Sequence, residues 1–147
     1  MFLSARTTDV QQPVLFFILR VSALTTIEPL PQALPEGIAG YRVQGSLFFG
    51  SVGKLDALAE AGPGEAPRAL LLDLHYVMNM DTTAMDAMRS LHKALAQRNT
   101  GLVLCALQPQ PRSLMERSGF YTELGQDNVQ PDLAAGLRRA GQLASGI

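Results

Sequence analysis

Between Ala69 and Met88 the chain reads ALLLDLHYVMNMDTTAMDAM, and the spacing of its apolar positions changes once along the way. Ala69, Leu70, Leu71, Leu72 and Leu74 form a nearly continuous apolar run, the pattern of a strand covered on both faces. From Thr83 onward the period is helical. Ala84, Met88, Leu91 and Leu95 recur at helix spacing on one side, and Asp86, Arg89, Ser90, Lys93 and Gln97 fall on the other. The pattern predicts a buried strand that feeds directly into an amphipathic helix. Thr83-x-x-Asp86 resembles a capping box, with Asp81 as a competing N-cap. Either start leaves backbone N–H groups pointing into a polar turn from Asn79 to Thr83.

The same signals divide the rest of the chain. The segments from Ile38 to Val43 and from Ser46 to Phe49 read as short strands meeting around Gly45. A helix is expected from Val52 to Ala61, with Val52, Leu55, Leu58 and Ala59 inward, and Gly62, Pro63, Gly64 and Pro67 mark the following loop. Gly101 to Leu107 reads as a second fully buried strand. Pro111 suits the first turn of a helix running to about Ser118 and closed by Gly119. A last amphipathic helix is expected from about Asp132 to Leu143. Such alternation favours an α/β layer architecture. The first 37 residues differ in kind: an apolar leader, VLFFIL from Val14 to Leu19, precedes a segment from Leu24 to Gly40 that carries Pro29, Pro31 and Pro35 and has no period. That segment reads as a semi-rigid linker, which leaves residues 38–147 as the folded domain.

Composition narrows the function classes. The 147 residues, 47% of them hydrophobic, suffice for one domain with an ordinary core. Twelve basic against thirteen acidic residues give a net charge of −1, and no basic stripe forms, so nucleic acid is not an expected partner. The lone cysteine, Cys105, excludes an internal disulfide and suits a reducing compartment. The leader is halted by Arg20, well short of the roughly 20 residues that cross a bilayer, and Asp9 before it spoils a signal peptide. His75 and His92 have no companion ligands at metal spacing, so no metal is expected; His75 reads as the end of a strand and His92 as the edge of a helix face. Gly45-Ser46-Leu47 and Gly50-Ser51-Val52 do not match a nucleophile elbow, and Gly62-Pro63-Gly64 lacks the lysine of a phosphate loop. The expectation is a protein that is not an enzyme and has no cofactor.

Two places keep chemical interest. Asp73 interrupts a buried strand, where an unpaired carboxylate is costly, so it is expected to accept hydrogen bonds from backbone N–H groups of a neighbouring loop. Thr82 and Thr83 place hydroxyls at a helix N-terminus, where phosphate charge is stabilised. The same two residues are also ordinary helix caps.

The segment Met80-Asp81-Thr82-Thr83-Ala84-Met85-Asp86-Ala87-Met88 resembles the (I/M)-D-(S/T)-(S/T)-G-hydrophobic signature of STAS domains, found in sulfate-transporter tails and anti-sigma-factor antagonists. Ala84 stands where that signature has glycine. Gly45-Ser46-Leu47-Phe48-Phe49-Gly50 is similar to the opening of the transporter tails, and QPQPRSLMERSGFYTEL from Gln108 to Leu124 resembles their Q-P-x-V-R-x-L stretch. Asp127-Asn128-Val129 with Pro131 fits their ending. FFILRVSALTTI from Phe16 to Ile27 looks like the boundary with the last membrane helix of a SulP-type anion transporter. The resemblance implies a single α/β STAS domain, anti-sigma-factor-antagonist-like, with a mixed sheet of four or five strands and helices mainly on one face. It implies a non-catalytic regulatory module of SulP-type anion transport, either a cytoplasmic tail or a stand-alone relative, that meets the transporter membrane domain or a soluble regulatory protein. Asn79, Met80, Asp81, Thr82, Thr83 and Ala84 would form the partner-binding turn, with Asp73 as structural support. Val14 to Leu19 would rest on a membrane surface or another subunit, and oligomers are compatible with this arrangement. The resemblance also admits a soluble phospho-switch with Thr82 in the acceptor position, and a nucleotide or small-ligand sensor at the same turn.

Overall fold

Leu70, Leu72 and Leu74 face one side of their strand while Ala69, Leu71 and Asp73 face the other, and all six are buried. A strand buried on both faces belongs in the middle of a layered α/β sheet. The computed structural model describes residues 26–47 and 66–146, and in it this strand is central. Five strands lie side by side in chain order: β1 (Thr26–Pro29), β2 (Ile38–Leu47), β3 (Ala69–Met80), β4 (Gly101–Cys105) and β5 (Val129–Gln130). β1 runs antiparallel to β2, and the other pairs are parallel.

The helices are α1 (Thr82–Ala96), α2 (Pro109–Arg117), α3 (Phe120–Leu124) and α4 (Leu133–Ala144), with a 3₁₀ turn at Gln126–Asn128. α1, α2 and α3 cover one face, where Met88, Leu91, Leu114, Met115, Phe120 and Leu124 pack on Leu70, Leu72 and Leu74. Among the described residues α4 is the helix on the other face, where Leu133, Leu137 and Leu143 meet Leu71, Val103 and Cys105. Arg89, on the polar side of α1, bonds Glu123 at 2.8 Å and the Ser118 carbonyl at 3.0 Å, fastening α1 to α3.

The α1 stripe of Ala84, Met88, Leu91 and Leu95 is buried as its spacing predicts. α4 starts after Asp132, whose carboxylate accepts the Ala135 N–H at 2.8 Å, and Gly119 closes α2 at φ +86°. Several expectations need correction. The segment read as a linker supplies β1, and Leu30 and Leu34 fold back over Gly40, where a Cβ would stand 2.7 Å and 2.9 Å from their methyl groups. Pro29 is tolerated because β1 is an edge strand. The two short strands around Gly45 are one strand, bent where its register with β3 shifts. β3 does not end at His75 but continues to Met80. β4 stops at Cys105 instead of Leu107, because Ala106 turns the chain at φ +62°. α2 begins at Pro109, which leaves Pro111 in its first turn as expected, whereas α3 and β5 were not expected from the pattern. The expected helix from Val52 to Ala61, the glycine–proline loop at 62–64 and the leader lie outside the described residues.

Candidate functional site

β4 pairs with β3 only as far as Asp73, opposite Cys105, so residues 74–80 of β3 project beyond it. Over this projecting length the register with β2 slips twice. Arg42 lies opposite Asp73 but Gln44 opposite Tyr76, and Gly45 lies opposite Val77 but Ser46 opposite Asn79. Each slip gives β3 one extra residue, a β-bulge, rare between parallel strands and common beside functional sites. The inward positions follow, passing from Leu70, Leu72 and Leu74 to Val77 and then Met80. Between them His75, Tyr76, Met78 and Asn79 are exposed. Tyr76 at 49% and Met78 at 57% are the large apolar side chains most open to solvent among the described residues.

The strand edge that β4 leaves unpaired is taken up by side chains from the start of α2. Gln110 Oε1 accepts the Met80 N–H at 2.8 Å, and Gln110 Nε2 donates to the Met80 carbonyl at 2.9 Å, as a paired strand residue would. Gln108 Nε2 donates to the His75 carbonyl at 2.6 Å. At the inner end of the ledge, Asp73 does not reach a neighbouring loop as expected. Its Oδ1 accepts the His75 N–H of its own strand at 3.1 Å, and its Oδ2 accepts Arg42 Nε of β2 at 3.3 Å. The bulge turns the His75 N–H toward the carboxylate, a local side-chain bond typical of aspartate. The Arg42 guanidinium also lies 5.4 Å from the centre of the Tyr76 ring, and His75 meets that ring edge-on at 4.8 Å.

The outer end of the ledge runs straight into α1. Asp81, not Thr83, is the N-cap: its carboxylate accepts the Ala84 N–H at 2.8 Å and its carbonyl the Met85 N–H at 3.0 Å. The expected turn from Asn79 to Thr83 is therefore a strand end, one cap residue and a helix start. Asn79 and Thr82 are exposed, Asp81 and Thr83 half-buried, and Met80 and Ala84 buried at 3% and 0%. The Ala84 methyl fills space in the core between β3 and α1. Of the six residues expected at the turn, Asn79 and Thr82 are thus open to solvent, and Asp81 and Thr83 partly so. Tyr76 and Met78 were not singled out from the sequence, and the departure of residues 75–80 from two-residue alternation is the signal that marks them. Gln108 and Gln110 lie in the QPQPRSLMERSGFYTEL stretch, which carried the resemblance but no role for either side chain.

Cys105, paired with Asp73 at the inner end of the ledge, is buried beside Gly136. Its thiol is pushed up to about 12, by burial first and by the charges of Asp73 and Asp132 after it. It is a packing residue, protonated at neutral pH. Among the described residues no three histidine, cysteine or carboxylate side chains gather as a metal site, and no helix is long and apolar enough to cross a membrane.

A mixed sheet in chain order, one antiparallel edge and a long strand passing through a single cap residue into a helix define an α/β domain of the STAS type. The STAS domain family model matches residues 33–136, and the chain belongs to that family. A Bacillus subtilis (strain 168) protein, YvdB, named as a candidate sulfate transporter, is 28% identical over 119 residues, which are 77% of this chain and 22% of that protein. This chain thus spans about a fifth of that relative's length. A sulfate transporter family protein from Wolinella succinogenes superposes with a TM-score of 0.71 at 25% identity, over 78% of this chain and 93% of its own. An anti-sigma factor antagonist from Mycobacterium paratuberculosis shares the fold with a TM-score of 0.63 at 18% identity, over 79% of this chain and 95% of its own. The domain shares its fold with both branches of the family.

Proposed function

We propose that this chain is a non-catalytic regulatory module of a SulP-type sulfate or anion transporter, acting on the cytoplasmic side of the membrane. It engages the transporter membrane domain, or a soluble regulatory protein, through the outer half of β3 and the start of α1. The observation that carries the reading is the ledge itself: a strand end beyond β4 that exposes Tyr76, Met78 and Asn79 and hands over to Thr82. Exposed aromatic and methionine side chains on a backbone held by its neighbours are what a recognition surface needs, because little conformational freedom is lost on docking. The likeness to YvdB and to the Wolinella protein supports the transporter branch. The test is to probe fractionated source cells with an antibody against residues 40–140. A species much larger than 15.8 kDa in the membrane fraction is expected. A free 15.8 kDa species in the soluble fraction would overturn the assignment.

A second reading rests on the exposure of Thr82 at the first helical position, where a phosphate would sit against the positive end of α1. Thr83, half-buried, is the poorer acceptor. In that reading the domain is a soluble switch that binds an anti-sigma partner when Thr82 is unmodified. Phosphopeptide mapping and a binding assay with Thr82→Glu decide it: an unmodified Thr82 and an unchanged affinity remove the switch.

A further inference from the structure

Three arginines lie over aromatic rings among the described residues, and they differ in how many of their nitrogens are engaged. Arg89, over Phe120, bonds Glu123 through Nε, Asp86 through Nη1 and the Ser118 carbonyl through Nη2. Arg112, over Tyr121, meets Glu116 through Nε and the Tyr121 hydroxyl through Nη2. Arg42, over Tyr76, donates through Nε alone, to Asp73. Among the described residues its Nη1 and Nη2 groups have no hydrogen-bond partner, and 28% of the side chain is open to solvent.

The unengaged edge of Arg42 is held in place from two sides. Asp73 is buried and itself fixed, because its second oxygen accepts the His75 N–H, and the Tyr76 ring lies 5.4 Å from the guanidinium centre. A guanidinium is planar, with its donors in a rigid fork. The Nε side of that fork is turned to Asp73, and the far end offers two parallel N–H groups that match a carboxylate. An arginine already oriented in this way loses little freedom on binding. Charge selects the ligand. Arg42 and Asp73 sum to zero, so the single negative charge of a carboxylate is accommodated more readily than the double charge of a phosphate. Tyr76 adjoins the guanidinium and Met78 follows two residues further along the strand, both exposed. Arginine, tyrosine and methionine are enriched at protein recognition surfaces, and apolar seats beside a charged anchor are contacts that a protein segment makes and a free anion does not.

We infer that Arg42 is the anchor of the ledge: its outer edge receives the carboxylate of an aspartate or glutamate on a partner protein, and Tyr76 and Met78 receive the apolar side chains next to it. The occupant is an acidic, otherwise apolar peptide segment. The inference rests on the reading of the ledge as a docking surface and adds what that surface selects.

The full chain tests it by NMR titration with the capped peptide acetyl-Gly-Leu-Glu-Leu-Gly-amide and with its glutamine counterpart. The glutamate peptide should shift the side-chain signals of Arg42, Tyr76 and Met78 and bind about fivefold more tightly than the glutamine peptide. Arg42→Lys keeps a positive charge beside Asp73 but lacks the fork, and it should erase most of that ratio. Arg112→Lys should leave the ratio unchanged. If Arg42→Lys fails to fold, the comparison of the two peptides on the unaltered chain decides alone. Equal binding of both peptides at the ledge overturns the inference while the ledge stays a docking surface. No shift at the ledge with either peptide overturns it as well. Acetate that shifts Arg42 as strongly as the glutamate peptide overturns it in favour of a bare anion site, and shifts confined to Thr82–Ala84 do so in favour of the start of α1. Cell fractionation does not enter these readouts, so the inference and the transporter assignment fail separately.

Discussion

Asp73 is 3% exposed, and its two partners account for its place in a buried strand: the His75 N–H fixes one oxygen and Arg42 faces the other. Arg42 keeps 28% of its side chain in water, so screening limits what the ion pair adds. Asp73→Ala should therefore cost about 2 kcal/mol, chiefly from the orphaned His75 N–H, and Asp73→Asn, which keeps an acceptor, about 1 kcal/mol. Urea unfolding of the two variants measures the difference. Cys105 makes a pH prediction. Its folded pKa, about 12, lies above the ordinary 9.0, so the folded state holds the proton more tightly than the unfolded chain. The stabilisation is complete below pH 9 and is lost as pH rises from 9 toward 12, by at most about 1.4 kcal/mol per pH unit. The urea midpoint should fall more steeply between pH 8.5 and 10.5 in the native protein than in Cys105→Ala. That Asp73 needs partners was legible in the sequence, since a carboxylate among leucines permits nothing else. Which partners it takes depends on the register of β2, and no local pattern carries that.

The elements divide along the same line. α1 and α4 were readable because each presents a complete stripe behind an aspartate cap. β1, β5 and α3 were not, because they have four, two and five residues and exist only through pairing or packing with what surrounds them. The start of α2 shows what the sequence-level view of an element omits: Gln108 and Gln110 replace the missing length of β4. Gln110→Ala leaves both backbone groups of Met80 without these bonds and should cost about 1–3 kcal/mol. Urea unfolding reads that loss, and faster hydrogen exchange from Tyr76 to Met80 places it. α4 offers a paired comparison. A Cβ at Gly141 meets nothing within 4 Å, so Gly141→Ala should stabilise by about 0.5–1 kcal/mol. A Cβ at Gly136 would stand 3.0 Å from Cys105 Cβ and from a Leu71 methyl group, and Gly136→Ala should destabilise by about 1–3 kcal/mol. Thermal melts of both variants separate helix propensity from close packing.

Across the whole molecule, the sheet has a protected middle and a less protected margin. Leu70 to Asp73 are buried and paired with a strand on both edges, whereas β3 beyond Asp73 relies on two glutamine side chains at one edge. Native-state hydrogen exchange should give the first group the full free energy of unfolding and the Tyr76–Asn79 amides a smaller one. Equal protection in both would show that the ledge opens only with the domain. The fold class was legible because alternating apolar runs and amphipathic stripes admit few layer arrangements. The ledge was not, because its exposure comes from where β4 stops, and that is decided by Ala106 on a different strand. The two slips in β3 have a consequence of parity. The inward positions carry even numbers as far as Leu74, an odd one at Val77 and an even one again at Met80, because each bulge uses one more residue of β3 than of β2, and α1 departs into the right layer. Removing His75 alone, or Met78 alone, should therefore straighten one slip and keep Val77 and Met80 inward, whereas removing Val77 would leave only exposed side chains for its inward place and should lower the melting temperature more.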